Sequence, residues 1–203
     1  MLNKYRIIIV TVFCIFFSVT HSFSQNRTFA LSISNNTTGL PVLGYPQLFY
    51  SQFHPGVDSK VSWQINKHEK NKILLDANLG FYYHQYVQFL MRIYPSISYN
   101  RNLSKSLSIT AGLGAGIGLS FEGKAAFEKD EDGQYISKPF SGLRTQYLIG
   151  VSFGASYLIN EESGLKLSFK LLSFMQGTYV NSYVPLLPLN VAQIGFTIPL
   201  KKQ

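Results

Sequence analysis

The sequence predicts an all-β fold, an eight-stranded antiparallel up-and-down transmembrane β-barrel, on three observations. Residues 107–122 read LSITAGLGAGIGLSFE, with Leu107, Ile109, Ala111, Leu113, Ala115, Ile117, Leu119 and Phe121 alternating with small or polar residues throughout. That is the pattern of a strand whose two faces meet different environments. It continues well beyond the ~5–6 residues of an ordinary strand, with glycines that would weaken an ordinary sheet. Secondly, the same period recurs in eight segments, and nothing in the mature chain shows helical periodicity. Thirdly, the links between segments tend to alternate short and long, as in outer-membrane barrels.

The first segment stands apart. Lys4 and Arg6 precede the apolar run Ile7 to Val19, and Ser22, Phe23 and Ser24 then supply a cleavage site before Gln25. This is the layout of a secretory signal, and the run is shorter than the roughly 20 apolar residues of a membrane-spanning helix. The expected division is therefore a cleaved signal over residues 1–24 and a single barrel domain over residues 25–203. Cys14 is the only cysteine and falls within the signal, which removes disulfides, thiolate metal sites and cysteine catalysis from the mature chain. The formal charge is +8, but the basic residues are scattered and not interleaved with aromatics in a stripe. Nucleic acid is therefore not an expected partner. A mild basic excess suits anionic lipids and phosphorylated saccharides.

Eight strands follow in order. Thr28 to Asn35 sets Phe29, Leu31 and Ile33 on one face. Residues 36–56 are rich in Gly, Pro and aromatics and form a long loop, with a possible strand extension at Gln47 to Phe53. Val57 to Asn66 alternates again and ends in the polar turn 67–71. Lys72 to His84 carries Ile73, Leu75, Ala77, Leu79, Phe81 and Tyr83 on one face, and a tight break at 85–87 leads to Gln88 to Asn100. Pro95 is out of place there, because proline cannot donate to a ladder. The turn 101–106 delivers the chain to residues 107–122. Residues 123–144 form the longest charged excursion, around Glu128 to Gly133. Thr145 to Ile159 is the second-clearest strand, followed by the turn 160–164, the strand Leu165 to Gln176, a loop at 177–189 and a last strand, Asn190 to Leu200.

In a bilayer every backbone N–H and C=O must be paired, so a spanning sheet closes on itself. The apolar face then meets lipid and the small or polar face the lumen. With eight strands that lumen is just wide enough for side chains, and the glycines leave room in it for Arg92, Lys60, Lys166 and Tyr82. Tyr147 and Tyr157 lie ten residues apart on the outward face. At ~3.3 Å per residue and ~45° tilt they are roughly 23 Å apart, near the ~25 Å between aromatic girdles. Across nearly all of Thr28 to Leu200 the pattern resembles the eight-stranded outer-membrane barrels of the OmpA and OmpX type, although many of these end on an aromatic residue and here Phe196 is followed by Thr197 to Gln203. The stretches Phe53 to Gly56 and Tyr183 to Pro188 are similar to segments of small outer-membrane proteins of unassigned function. The resemblance implies an outer-membrane location with both mature termini periplasmic. It implies lipid and lipopolysaccharide as surroundings, and it supplies no activity.

Candidate chemistry gathers at the outer rim. Asp58, His84, Ser120 and Glu122 are expected to point inward there, with His54 in the adjoining loop. A serine, a histidine and a carboxylate are the residue types of an acyl-transfer site, but no nucleophile-elbow motif surrounds Ser120, and a hydrogen-bonded rim is what a polar lumen provides anyway. Lys60 and Asp76 are expected to approach across the 67–71 turn, with Arg92 and Glu122 extending the pairing. The resulting lumen is either a narrow channel or a salt-bridged plug. No spacing of His54, His68 and His84 matches a metal motif, and no cofactor is implied. The aromatic loops, Tyr45 to His54 and Tyr179 to Pro188, are expected either to bind an external saccharide or protein or to cap the mouth. The leading expectation is a monomeric, non-enzymatic outer-membrane barrel with a structural or interaction role, and the alternative is a lipid- or lipopolysaccharide-modifying enzyme.

Overall fold

The computed structural model describes residues 27–84, 88–121, 126–129, 134–138, 143–180 and 184–200; the expected signal, residues 1–24, lies outside them. The elements are β1 (Arg27–Thr38), the single helical turn α1 (Gln47–Tyr50), β2 (Pro55–Gln64), β3 (Asn71–His84), β4 (Gln88–Asn102), β5 (Leu107–Phe121), β6 (Ala126–Lys129), β7 (Tyr135–Lys138), β8 (Arg144–Asn160), β9 (Leu165–Val180) and β10 (Val184–Leu200). Eight of the strands close into a barrel in the order β1-β10-β9-β8-β5-β4-β3-β2, every neighbour antiparallel, while β6 and β7 form a separate hairpin in the 123–144 excursion.

The ladder starting at Ser156 on β8 passes through Ser168, Gly195, Ser32, Asp58, Gly80, Arg92 and Gly118, and returns to β8 at Gln146, ten residues along. A stagger of that size tilts the strands by about 40°. One end of the barrel, the turn end, holds the links at 65–70, 103–106 and 161–164. The other, the loop end, holds residues 39–54, the end of β3 with the start of β4, the end of β5 with the start of β8, and the end of β9 with the start of β10.

The faces follow the period of two. On β5, Leu107, Ile109, Ala111, Leu113, Ala115 and Ile117 are exposed, and Ser108, Gly118 and Ser120 are buried. Tyr147 and Tyr157 face out, as do Phe81, Tyr83 and Tyr99. Leu113, 68% exposed halfway along β5, tests the solvent on that face. In vesicles Leu113→Arg is expected to cost about 2–4 kcal/mol, read as a lower urea midpoint; a neutral result would mean that the wall faces water.

Two boundaries differ from expectation, and Pro95 leaves a gap in the wall, each for a physical reason. The expected loop at 177–189 is largely strand, because β9 and β10 continue to Val180 and Val184. The pattern blurs there because its polarity inverts: Leu172, Phe174, Leu189 and Val191 point into the barrel, while Ser173 and Asn190 point out. The expected strand extension at 47–53 is instead α1 with extended chain after it. Pro95 sits in the wall paired to Ala77 of β3, and on its other side the β4–β5 ladder skips from Ile93↔Ile117 to Ser96↔Gly114. The missing N–H accounts for this gap.

The lumen is filled in layers. Gln88 and Gln176 exchange side-chain amide hydrogen bonds at 3.1 and 3.0 Å, Gln176 also donates to Gln146, and Gln88 donates to the Tyr82 hydroxyl at 2.9 Å. Next comes an apolar cluster of Tyr82, Leu90, Tyr94, Leu148, Leu172, Phe174, Leu189 and Val191. The glycine face makes space for this cluster more than for the long cations: a Cβ on Gly114 would meet the Tyr94 ring at 3.0 Å, and one on Gly118 would meet Leu90 at 2.9 Å. Towards the turn end, Asp76 accepts hydrogen bonds from Ser98 at 2.5 Å and Ser96 at 3.3 Å, and it faces Lys60 at 4.0 Å as expected.

Candidate functional site

The loop-end site is built on β1, β2, β3 and β4. Even-numbered residues of β1 face inward, which places Ser34 and Asn36 inside. The register sets Asp58 beside Gly80, with Arg92 next in the row. Arg92 has no exposed surface; its guanidinium donates to Asp58 Oδ1 at 2.8 Å and to Asn36 Oδ1 at 3.3 Å. The same cation lies 5.6 Å from the Tyr82 ring centre and 5.5 Å from that of Phe174. Ser34 donates to the other Asp58 oxygen at 2.8 Å. Both oxygens of Asp58 are thus engaged, Oδ1 by the buried cation and Oδ2 by Ser34, and a buried charge in a low-dielectric interior requires such partners. Arg92 finds Asp58 because that acid shares its ladder row; the expected Arg92 to Glu122 pairing involves a residue, Glu122, outside the described ones.

His54 and His84 come together, with their rings stacked at 3.7 Å between centroids and 10° from parallel. His54 is buried, with its Nδ1 3.0 Å from the Asn36 carbonyl oxygen. Ser120 is also buried, in the row Tyr82–Leu90–Ser120, so fully buried Leu90 stands on β4 between it and the strand that carries His84. His54, just before β2, and His84, at the end of β3, therefore meet, while Asp58 lies four residues further along β2 beside Gly80 and Ser120 is on β5, two strands from β3.

Of the two expectations for the Tyr45 to His54 loop, capping the mouth is the one the 39–54 segment does not meet. It neither caps the mouth nor projects away; it folds over the outside of the wall. Outward-facing Asn190 donates to the carbonyls of Gly39 and Leu40 at 3.1 and 3.0 Å, and outward-facing Ser173 accepts from the Val42 N–H at 3.1 Å. Asn35, also outward, donates to the Leu48 carbonyl at 2.7 Å and accepts from the His54 N–H at 2.8 Å. Leu48 is buried against the wall, while Leu40, Leu43, Phe49, Tyr50 and Phe53 remain largely exposed. The polar residues Asn35, Ser173 and Asn190 at outward positions were the available signal for this arrangement.

No family model matches the sequence, and no curated protein matches it. Solved structures do match. Neisserial surface protein A superposes with a TM-score of 0.50 at 13% identity, over 87% of this chain and 97% of that one. The chain has the fold of a small transmembrane barrel. A de novo designed transmembrane β-barrel matches with a TM-score of 0.48 at 12% identity, over 86% of this chain and 95% of that one. The outer-membrane enzyme PagL matches with a TM-score of 0.48 at 10% identity, over 85% of this chain and 99% of that one. At these identities the likeness concerns the fold.

Proposed function

We propose that the protein is an outer-membrane barrel, oriented with its loop end outward, whose role is interaction through the segment folded against its wall. The observation that carries this reading is the pinned apolar surface of Leu40, Leu43, Phe49 and Tyr50. A loop needed only to join β1 to β2 has no reason to hold large apolar side chains outward while its backbone is tied down by Asn35, Ser173 and Asn190. Exposed apolar patches of this kind mark interaction sites. Lying beside the wall, the surface suits a protein partner resident in the same membrane.

A photo-crosslinking residue placed at Leu40, in the same exposed surface, is expected to give a discrete protein adduct in native membranes. That adduct should disappear in the Leu43→Ser/Phe49→Ser/Tyr50→Ser variant, which leaves the barrel folded. Adducts with lipid alone would make the segment a membrane anchor and overturn the reading. The lipid-modifying alternative gains no support from the rim, where Asp58 is committed to Arg92 and Ser34 and Ser120 faces a closed interior. Envelope lipids of His84→Ala and Ser120→Ala strains are expected to match wild type by mass spectrometry. The channel alternative meets an apolar cluster across the lumen, and planar-bilayer recordings are expected to show no steady conductance.

A further inference from the structure

We propose that the turn end of the barrel is a binding pocket for a small multivalent anion of the phosphate class. Below the Asp76 layer the lumen widens into a cavity of about 340 Å³. That is the lower end of the usual range for ligand pockets. Lys60, Lys72 and Lys166 line it together with Arg27, and no carboxylate is among its lining residues within the described part of the chain. Asp76 lies above these walls, with Oδ2 accepting from Ser98 and Ser96 and Oδ1 4.0 Å from the Lys60 ammonium. Among the described residues, Lys72, Lys166 and Arg27 form no salt bridge.

The placement follows from the register. Lys60, Ala30, Thr197 and Lys166 share one ladder row across β2, β1, β10 and β9, so two lysines flank two short side chains and their ammonium groups have room to converge on the space between. Lys72 enters from β3 in the row of Asn100 and Thr110, which are hydrogen-bonded to each other at 2.7 Å. Hydroxyl and amide groups of Ser62, Gln64 and Ser156 complete the lining. Like charges gathered between low-dielectric walls focus a positive potential, and an anion with two or more charges relieves their repulsion in a way that chloride cannot. Phosphate oxygens accept from ammonium and hydroxyl donors together. The pocket is blind, because the apolar cluster closes the lumen above it. An anion can enter and leave only by the turn end, so this is a binding site and not a conduit.

Two sources carry this chemistry, a free phosphate compound or the headgroup of a lipid in the adjacent leaflet, and the experiment separates them. Calorimetric titration of the detergent-purified barrel with pyrophosphate is expected to give one site per chain, weakening with added salt. In Lys72→Gln/Lys166→Gln the affinity is expected to fall at least tenfold, and in Lys105→Gln, on a nearby turn outside the lining, it should be unchanged. Retention of the heat-modifiable folded form on gels establishes that the double variant is a barrel. In nanodiscs of phosphatidylglycerol, loss of pyrophosphate binding relative to phosphatidylcholine nanodiscs identifies the headgroup as occupant; equal binding in both identifies a free phosphate compound. If pyrophosphate binds no better than chloride, or binds the folded double variant as well as wild type, the proposal is wrong. The test uses purified protein and stands independently of the role assigned to the loop end.

Discussion

Arg92→Ala is expected to destabilise the barrel by on the order of 3–5 kcal/mol, the range for breaking a buried ion pair by removing one partner. The mutation leaves the Asp58 carboxylate, itself only 6% exposed, without its cation. It also opens a void between the Tyr82 and Phe174 rings, where the guanidinium had cation–π contact on both sides. Asp58→Ala should cost a similar amount for the opposite reason, since it strands a guanidinium whose Nε already has no partner. The combined Arg92→Met/Asp58→Asn variant should cost much less than the sum of the single losses, because neither charge remains to be desolvated. Urea midpoints in vesicles provide the measurement. Additive losses in the cycle would mean that the two groups are hydrated separately and that the pair does not hold the plug together.

Gly116→Val is expected to cost about 3 kcal/mol, at the upper end for overpacking, whereas Ala115→Val one residue away should stay within ~0.5 kcal/mol. The two positions are adjacent on β5 and occupy opposite faces. A Cβ on Gly116 would come within 2.5 Å of Tyr94 Cβ and would also meet the Ile93 carbonyl oxygen, so backbone as well as side chain opposes it. Tyr94 cannot retreat easily, because its ring meets Phe174 edge-on at 5.1 Å in the buried cluster. Ala115 points outward into the apolar surroundings of the wall. Equal effects at the two positions would indicate that β5 is not oriented by its alternation.

Much of the fold was legible because a period of two is a local property. Each of the eight wall strands was found from its own residues, and the Lys60–Asp76 contact followed from one short turn. The stretches that resisted were those where a partner distant in sequence changes the environment. Leu172, Phe174, Leu189 and Val191 look like lipid-facing residues until the lumen at their level proves apolar, and Asn190 looks like a lumen residue until the 39–54 segment covers it from outside. Of the candidate rim residues, His84 met His54 because a short link and the β2–β3 register bring them to the same edge. The position of Ser120 relative to them depended on counting strands around the circle.

The sequence alone therefore determined that the wall is a closed sheet with an apolar outside, since alternation over full strands leaves the backbone no other way to pair in a membrane. Only the tertiary structure decided what fills the lumen, where Arg92 finds its acid, how a loop lies against the wall, and that Lys60, Lys72 and Lys166 line one blind cavity. Those outcomes depend on the stagger of the closed sheet, which sets residues from distant strands at the same height and is encoded in no single segment.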